Sequence, residues 1–189
     1  MSDTNTNSAT ATIQIRFGGV GGQGIVLASL LLGKAAALFD GKEAVSTQTH
    51  GPEARGGASR ADVIISDEPV DYPFVTEADV LVVFFHEAYM RFRSALKPGG
   101  ILIVDTGLVQ PLEDDQNVCG LPATKMAEDL GSRLVTNVVM LGYLIEKTGV
   151  VSRDSVEQAI RHTVKKHVID LDMQALDAGI RLAQSDGAS

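Results

Sequence analysis

Apolar and polar positions alternate over residues 12–17 (TIQIRF), the period of a half-buried strand, and the glycines of GGVGGQG, residues 18–24, follow at once. Residues 25–39, rich in Ala and Leu and bounded by Gly24 and by Asp40-Gly41, predict a helix. The chain therefore opens as strand, glycine loop, helix. A second strand fits residues 43–48, and a third fits residues 59–66, where β-branched side chains recur. Residues 78–85 (ADVLVVFF) are the continuous apolar run of a strand buried on both faces. Residues 87–96 predict a helix, residues 97–100 (KPGG) a turn, and residues 101–105 another buried strand. This alternation predicts an α/β fold: a three-layer, Rossmann-like, mostly parallel sheet with helices on both faces.

The last third predicts helices at residues 123–130, 134–148, 153–167 and 173–184, a helical C-terminal section within one domain spanning 12–189. In the third of these, Val156, Ala159, Ile160 and Val164 share one apolar stripe, with Glu157 and Arg161 placed to pair on the other face. Asp172 is placed to cap the last helix. Two helices lack a polar face. Residues 25–39 are interrupted only by Ser29, Gly33 and Lys34, and residues 134–145 only by Thr136, Asn137 and Gly142. A helix apolar all round must be covered all round. The two either pack on each other and the sheet, or take part of their cover from another subunit.

Composition narrows the function. The 189 residues are 44% hydrophobic and 21% charged, ordinary for a globular chain. A net charge of −8 has the wrong sign for a general nucleic-acid binder, although a local anion site stays open. No run reaches the ~20 apolar residues that cross a bilayer. Residues 1–11 have neither a basic start nor an apolar block, so a flexible tail and a cytoplasmic location are expected. The single cysteine, Cys119, can neither close an intrachain disulfide nor hold an iron–sulfur cluster. No metal site is expected.

The glycine loop is the sharpest local motif. Gly19, Gly21 and Gly24 satisfy G-x-G-x-x-G between a strand and a helix, the context in which amides and a helix N-terminus hold a pyrophosphate. Against a dinucleotide, Gln48 and Thr49 stand where a ribose-binding acid belongs. The other use is a tight turn that lets backbone approach closely. A second polar loop, THGPEARGG at residues 49–57, gathers His50, Glu53 and Arg55 beside Gly56 and Gly57; guanidinium there favours carboxylate or phosphate, or an interface. Asn137, lone in its apolar helix, needs a partner for its amide. ALKPGGILIVD, residues 95–105, resembles the helix–turn–strand found late in many methyltransferases; the other reading is a helix ending in a glycine turn before a buried strand. There is no P-loop, no G-x-S-x-G, no H-E-x-x-H and no C-x-x-C. His162 and His167 are five apart and do not share a helical face as zinc ligands would.

Six stretches together carry a resemblance: GGVGGQG (18–24), HGPEARGG (50–57), SDEPVDYP (66–73), LKPGGILIVD (96–105), LPATKMAEDLG (121–131) and TNVVMLG (136–142). In this order they resemble the gamma subunits of the 2-oxoacid:ferredoxin oxidoreductases, closest in wording to the 2-oxoglutarate enzymes. The resemblance implies a gamma-type catalytic domain in a complex that oxidatively decarboxylates a 2-oxoacid to an acyl-coenzyme A and passes electrons to ferredoxin. It implies thiamine diphosphate, magnesium and iron–sulfur clusters on partner alpha and beta subunits, with an optional delta subunit, and ferredoxin docking on those subunits. This chain alone would bind none of these cofactors and carry no catalytic residue. Coenzyme A, as co-substrate, would meet Gly19, Gly21, Gly22, Gln23 and Gly24, the loop residues His50, Glu53, Arg55, Gly56 and Gly57, and Asn137. The rival reading is a self-sufficient dinucleotide- or S-adenosylmethionine-binding Rossmann enzyme built on the same glycine loop.

Overall fold

The computed structural model describes residues 12–49 and 57–187. The chain runs β1 (Ile13–Gly19), α1 (Ile25–Lys34) extended by a wider π-helical turn (Ala35–Phe39), β2 (Glu43–Thr49), β3 (Ser59–Ser66) and β4 (Ala78–Val83). Then come α2 (His86–Phe92), β5 (Leu96–Asp105), β6 (Val118–Leu121), α3 (Ala123–Asp129), α4 (Thr136–Thr148), α5 (Arg153–Thr163) and α6 (Ile169–Asp186). Among the described residues no helix is long and apolar enough to cross a membrane.

The six strands form one sheet in the order β2-β3-β1-β4-β5-β6. The pairs β1–β4, β4–β5 and β5–β6 are parallel, whereas β3 runs antiparallel to both β1 and β2. The sheet is thus mixed, mostly parallel with one reversed strand. For β2 and β3 the reason is connectivity: the nine residues between them are fewer than the dozen or more that a parallel crossover needs. Arg16 and Asp62 stand directly opposite each other across β1 and β3. Their fork-to-carboxylate bonds, 2.8 Å each, are buried, and the same guanidinium donates to the Val75 carbonyl at 2.7 Å. A one-residue slip would separate these charges in the interior, so the pair pins the register.

Alternate strand residues face opposite layers. Phe17, Val63, Val82 and Ile103 belong to the large core shared with α1 and α4. Leu81, Val83, Leu102 and Val104 pack with Ala88, Tyr89 and Phe92 of α2. The helices are unequally divided: α1 and α4 cover one face, with α6 along α4, and the seven-residue α2 is the helix on the other.

Several expectations are corrected. KPGG is no separate turn. Ala78 pairs with Leu96 and Val80 with Ile101, so the four residues between them bulge out of β5 opposite Asp79, which holds Lys97 at 2.7 Å. β6 was not foreseen, because four residues of mixed character carry no period. Glu157 pairs with Arg153, one turn before it, and not with Arg161. Asp172 is not a cap: α6 starts three residues earlier, and the carboxyl lies buried at the head of the stripe Asp172, Ala175, Leu176, Gly179. His162 packs its ring on Phe39, centroids 5.5 Å apart.

Candidate binding site

The crevice at the carboxyl ends of β1 and β4 is where this sheet changes winding: the chain leaves β1 for α1 on one face and β4 for α2 on the other. Open α/β sheets take ligands at such a point. The glycine loop occupies it. Gly19 ends β1, Gly21 and Gly22 form an exposed turn, and Gly24 caps α1 with φ +73°.

Gln23 decides what the loop can hold. Its side-chain oxygen accepts from the Val20 amide at 2.8 Å, and its side-chain nitrogen donates to the Phe84 carbonyl at 3.1 Å. The residue bridges the crevice and occupies an amide that a pyrophosphate would need. Asn137 acts from behind. It is 2% exposed, and its Nδ2 donates to the Gly24 carbonyl at 3.2 Å. A Cβ on residue 24 would come within 2.7 Å of that nitrogen, and L side chains also avoid the φ found there, so the position requires glycine twice over. Asn137 therefore holds the loop, and its amide is turned away from solvent. Gly57, half-buried, lies two residues before Ser59, which pairs with Gly19, so the end of the second polar loop borders the first. His50, Glu53, Arg55 and Gly56 lie outside the described residues, as does the tail 1–11.

Two hollows adjoin the loop, and a third lies apart from it at residues 106–111. A small cavity of about 120 Å³ lies between Gly22, Gln23, Thr124, Arg133, Leu134 and Thr136. It joins an exposed glycine turn to Arg133, whose guanidinium suits an anion, while the hydroxyls of Thr124 and Thr136 are already donated to Asp105 and to the Arg133 carbonyl. Its floor is firm: Asp105, fully buried, accepts from the Gly107 amide at 3.1 Å and from both the amide and hydroxyl of Thr124. A groove of about 500 Å³ runs along α1 on the other side of Gly22. A third hollow, about 530 Å³, lies between His86 and residues 106–111. Its wall is held by Tyr89, Asp115 and Arg93. Tyr89 donates to Asp115, the Leu112 amide donates to the Tyr89 oxygen at 2.9 Å, and Arg93 reaches Asp115 at 2.9 Å. Burial and the bond to Asp115 push the Tyr89 hydroxyl up. Burial opposes ionisation of Asp115, yet its bonds from Tyr89, Arg93 and the Leu112 amide keep its carboxyl below the usual range.

Nothing local in the sequence marks Thr124, Arg133 or His86. Thr124 and Arg133 follow Gly22 by a hundred residues or more, and only the packing of α3 and α4 against the glycine loop brings them to it.

A mixed α/β sheet whose crevice is bridged by its own glutamine, with an anion-suited cavity beside it, describes a binding subunit more readily than a self-contained dinucleotide enzyme. The chain belongs to the pyruvate ferredoxin/flavodoxin oxidoreductase family, which it matches over residues 14–182. It is 47% identical over 177 residues to the 2-oxoglutarate synthase subunit KorC of Methanothermobacter marburgensis, covering 89% of this chain and 95% of that protein. The crystal structure of the gamma subunit of a keto/oxoacid ferredoxin oxidoreductase from Geobacter sulfurreducens superposes with a TM-score of 0.82 at 38% identity, over 92% of this chain and 99% of that one. A 2-oxoglutarate:ferredoxin oxidoreductase from Magnetococcus marinus, with 2-oxoglutarate, coenzyme A and succinyl-CoA bound, superposes with a TM-score of 0.83 at 26% identity. The match covers 92% of this chain but 31% of that longer polypeptide.

Proposed function

We propose that this chain is the gamma subunit of a thiamine-diphosphate-dependent 2-oxoglutarate:ferredoxin oxidoreductase, working with alpha and beta subunits and optionally a delta subunit. The observation that carries this reading is its near end-to-end likeness to a 2-oxoglutarate synthase subunit, at 47% identity and 95% coverage of that protein. Held on the partner subunits, thiamine diphosphate would supply the electron sink that stabilises the carbanion left when carbon dioxide departs, and iron–sulfur clusters would supply the electron path to ferredoxin. The residues here do not fit the clusters, since the whole sequence holds one cysteine. This chain's share is to bind and position. Acting as one gamma-type unit, it offers coenzyme A the exposed Gly21-Gly22 turn, with the Arg133 guanidinium and Thr124 beside Gly22 facing a phosphate. Gly57 borders that turn, and His50, Glu53, Arg55 and Gly56, which precede it in sequence, complete the set we assign to coenzyme A. Gly19, Gln23, Gly24 and Asn137 hold the turn in shape.

The rival reading, a self-sufficient nucleotide enzyme, is disfavoured by Gln23 across the crevice and by the company the chain keeps among known proteins. The test is reconstitution. The complete complex should reduce ferredoxin in the presence of 2-oxoglutarate and coenzyme A, and omission of this chain should abolish it. Arg133→Ala should raise the KM for coenzyme A about tenfold, the size of one lost charge-assisted contact, with little change in the KM for the oxoacid. Micromolar binding of NADH or S-adenosylmethionine by the chain alone would favour the rival.

A further inference from the structure

The cavity beside Gly22 holds about 120 Å³, against about 530 Å³ for the hollow at His86. Space of that size takes about four waters at ~30 Å³ each, the scale of one tetrahedral phosphate with its four oxygens and not of two phosphates joined. Arg133 is the one cation in its lining. Arg16, Arg60, Arg93, Arg153 and Arg181 each have a carboxylate partner, whereas the exposed Arg133 has none among the described residues. Lys125, next in sequence to the lining residue Thr124, is already paired with Asp129. The threonine hydroxyls are committed as well, to Asp105 and to the Arg133 carbonyl. An anion entering here is therefore held by a single guanidinium fork, through charge more than through a cradle of hydroxyls.

Coenzyme A carries two kinds of phosphate: an internal diphosphate, esterified at both ends, and the 3′-phosphate of its ribose, esterified once. They differ in charge and in shape. A phosphomonoester bears a charge of about −1.5 to −2 at pH 7, because its second pKa is about 6, and so gains more from one unpaired guanidinium than a singly charged phosphoryl of the bridge does. With three free oxygens and one attachment, it also enters end-on a space too small for a linear chain to thread. The glycine loop points the same way. Gln23 takes the Val20 amide at 2.8 Å, so the pyrophosphate cradle of the motif is short of a donor and makes a poor anchor. Leu134, 80% exposed beside Arg133, offers an apolar face to the sugar or purine that such a monoester brings with it. We propose, resting on the coenzyme A reading above, that Arg133 is the specificity residue for the 3′-phosphate: its fork and the Gly22 backbone seat that monoester in the cavity, and the subunit thereby selects coenzyme A over dephospho-coenzyme A.

The test uses the assembled complex and two probes, coenzyme A and dephospho-coenzyme A, which differ only in that phosphate. KM is measured with 2-oxoglutarate and ferredoxin, and Kd by calorimetry without the oxoacid. In wild type both constants should be about tenfold higher for dephospho-coenzyme A, the size of one charge-assisted contact. Arg133→Ala should raise the coenzyme A constants about tenfold and leave those for dephospho-coenzyme A within about twofold, so that their ratio approaches one. Arg133→Lys, which keeps the charge without the fork, should fall between. If Arg133→Ala fails to assemble, Arg133→Lys decides, and an unchanged ratio overturns the assignment. A wild type indifferent to the 3′-phosphate overturns it too. Equal weakening of both probes by Arg133→Ala puts the guanidinium on the diphosphate, which overturns the assignment and leaves the coenzyme A reading standing. A complex that binds coenzyme A with undiminished affinity when this chain is omitted refutes that reading itself.

Discussion

α4 buries every residue from Thr136 to Ile145, while α1, apolar over its own length, leaves Val26 and Leu30 in the open. The difference lies in what each helix meets. α4 has the sheet on one side and α6 on the other, and Gly142 and Gly179 let those two helices touch backbone to backbone. A Cβ at residue 142 would stand 2.2 Å from the Leu176 carbonyl oxygen, and one at residue 179 would stand 2.0 Å from that of Val139. α1 has the sheet and α4 behind it, but its second neighbour, α5, is fixed to the far end. Asp40 accepts from the Ser152 amide at 2.7 Å and from the hydroxyls of Ser152 and Ser155, and Lys34 donates to Thr163 at 3.1 Å. Only the stripe of Val26 and Leu30, next to the glycine loop, is left open, while Ile25, Ala28, Leu31 and Leu32 of the same helix are buried. Two helices that both lack a polar face thus differ: α4 is covered all round from Thr136 to Ile145, and α1 keeps one stripe at the surface.

The contrast can be broken most forcefully at the glycine contact. Gly142→Ala should cost about 3 kcal/mol or more, because backbone atoms cannot yield as a side-chain tip can; urea unfolding measures it. A loss under about 1 kcal/mol would show that α6 rides loosely on α4. Next in size is Asp172, the one carboxylate on the α6 stripe. Burial pushes it up to about 6 from 3.8, so the ionised form weighs against the fold. Since the folded pKa lies above the unfolded one, the penalty is absent below about pH 4, grows between pH 4 and 6, and is complete above 6. Asp172→Asn should therefore stabilise the chain by about 2 kcal/mol at pH 7.5, with the gain vanishing toward pH 4 in paired denaturation curves.

A smaller effect tests the link between the helices. Asn137→Ala removes the bond to the Gly24 carbonyl and should cost about 1 kcal/mol, with faster hydrogen exchange at the glycine loop as the sign that the turn has loosened. The smallest expected change is the most telling. Leu30→Ser should alter the stability of the isolated chain by no more than about 0.5 kcal/mol, whereas Leu141→Ser in α4 should prevent folding. If both variants behaved alike, the distinction between a covered and an uncovered helix would be lost.

Much of the fold was legible along the chain. The strand, loop and helix at the start, the third and fourth strands, and the apolar stripe of α5 follow from period and turn residues, and each lies within a few residues of its expected place. The glycine loop announced itself by spacing. What it does was not legible, because Gln23 fits the motif equally well as a bystander, and only the position of the Phe84 carbonyl makes it a bridge. The Glu157 pairing failed for a related reason: partners one turn either way are equivalent in a helix, and rotamer and neighbours choose.

Taken alone, the sequence determined the α/β class, the single cysteine that cannot by itself hold a cluster needing several thiolates, the negative net charge, and the presence of two helices in need of cover. These are local or compositional properties, set by side-chain period, backbone preference and charge. Only the tertiary structure decided which of the two helices finds that cover within the chain, that Arg133 and Thr124 stand beside Gly22, and that Asp172 is buried and not a cap. Each of those depends on contacts between residues far apart in sequence, where packing and desolvation act on neighbours that no local pattern encodes.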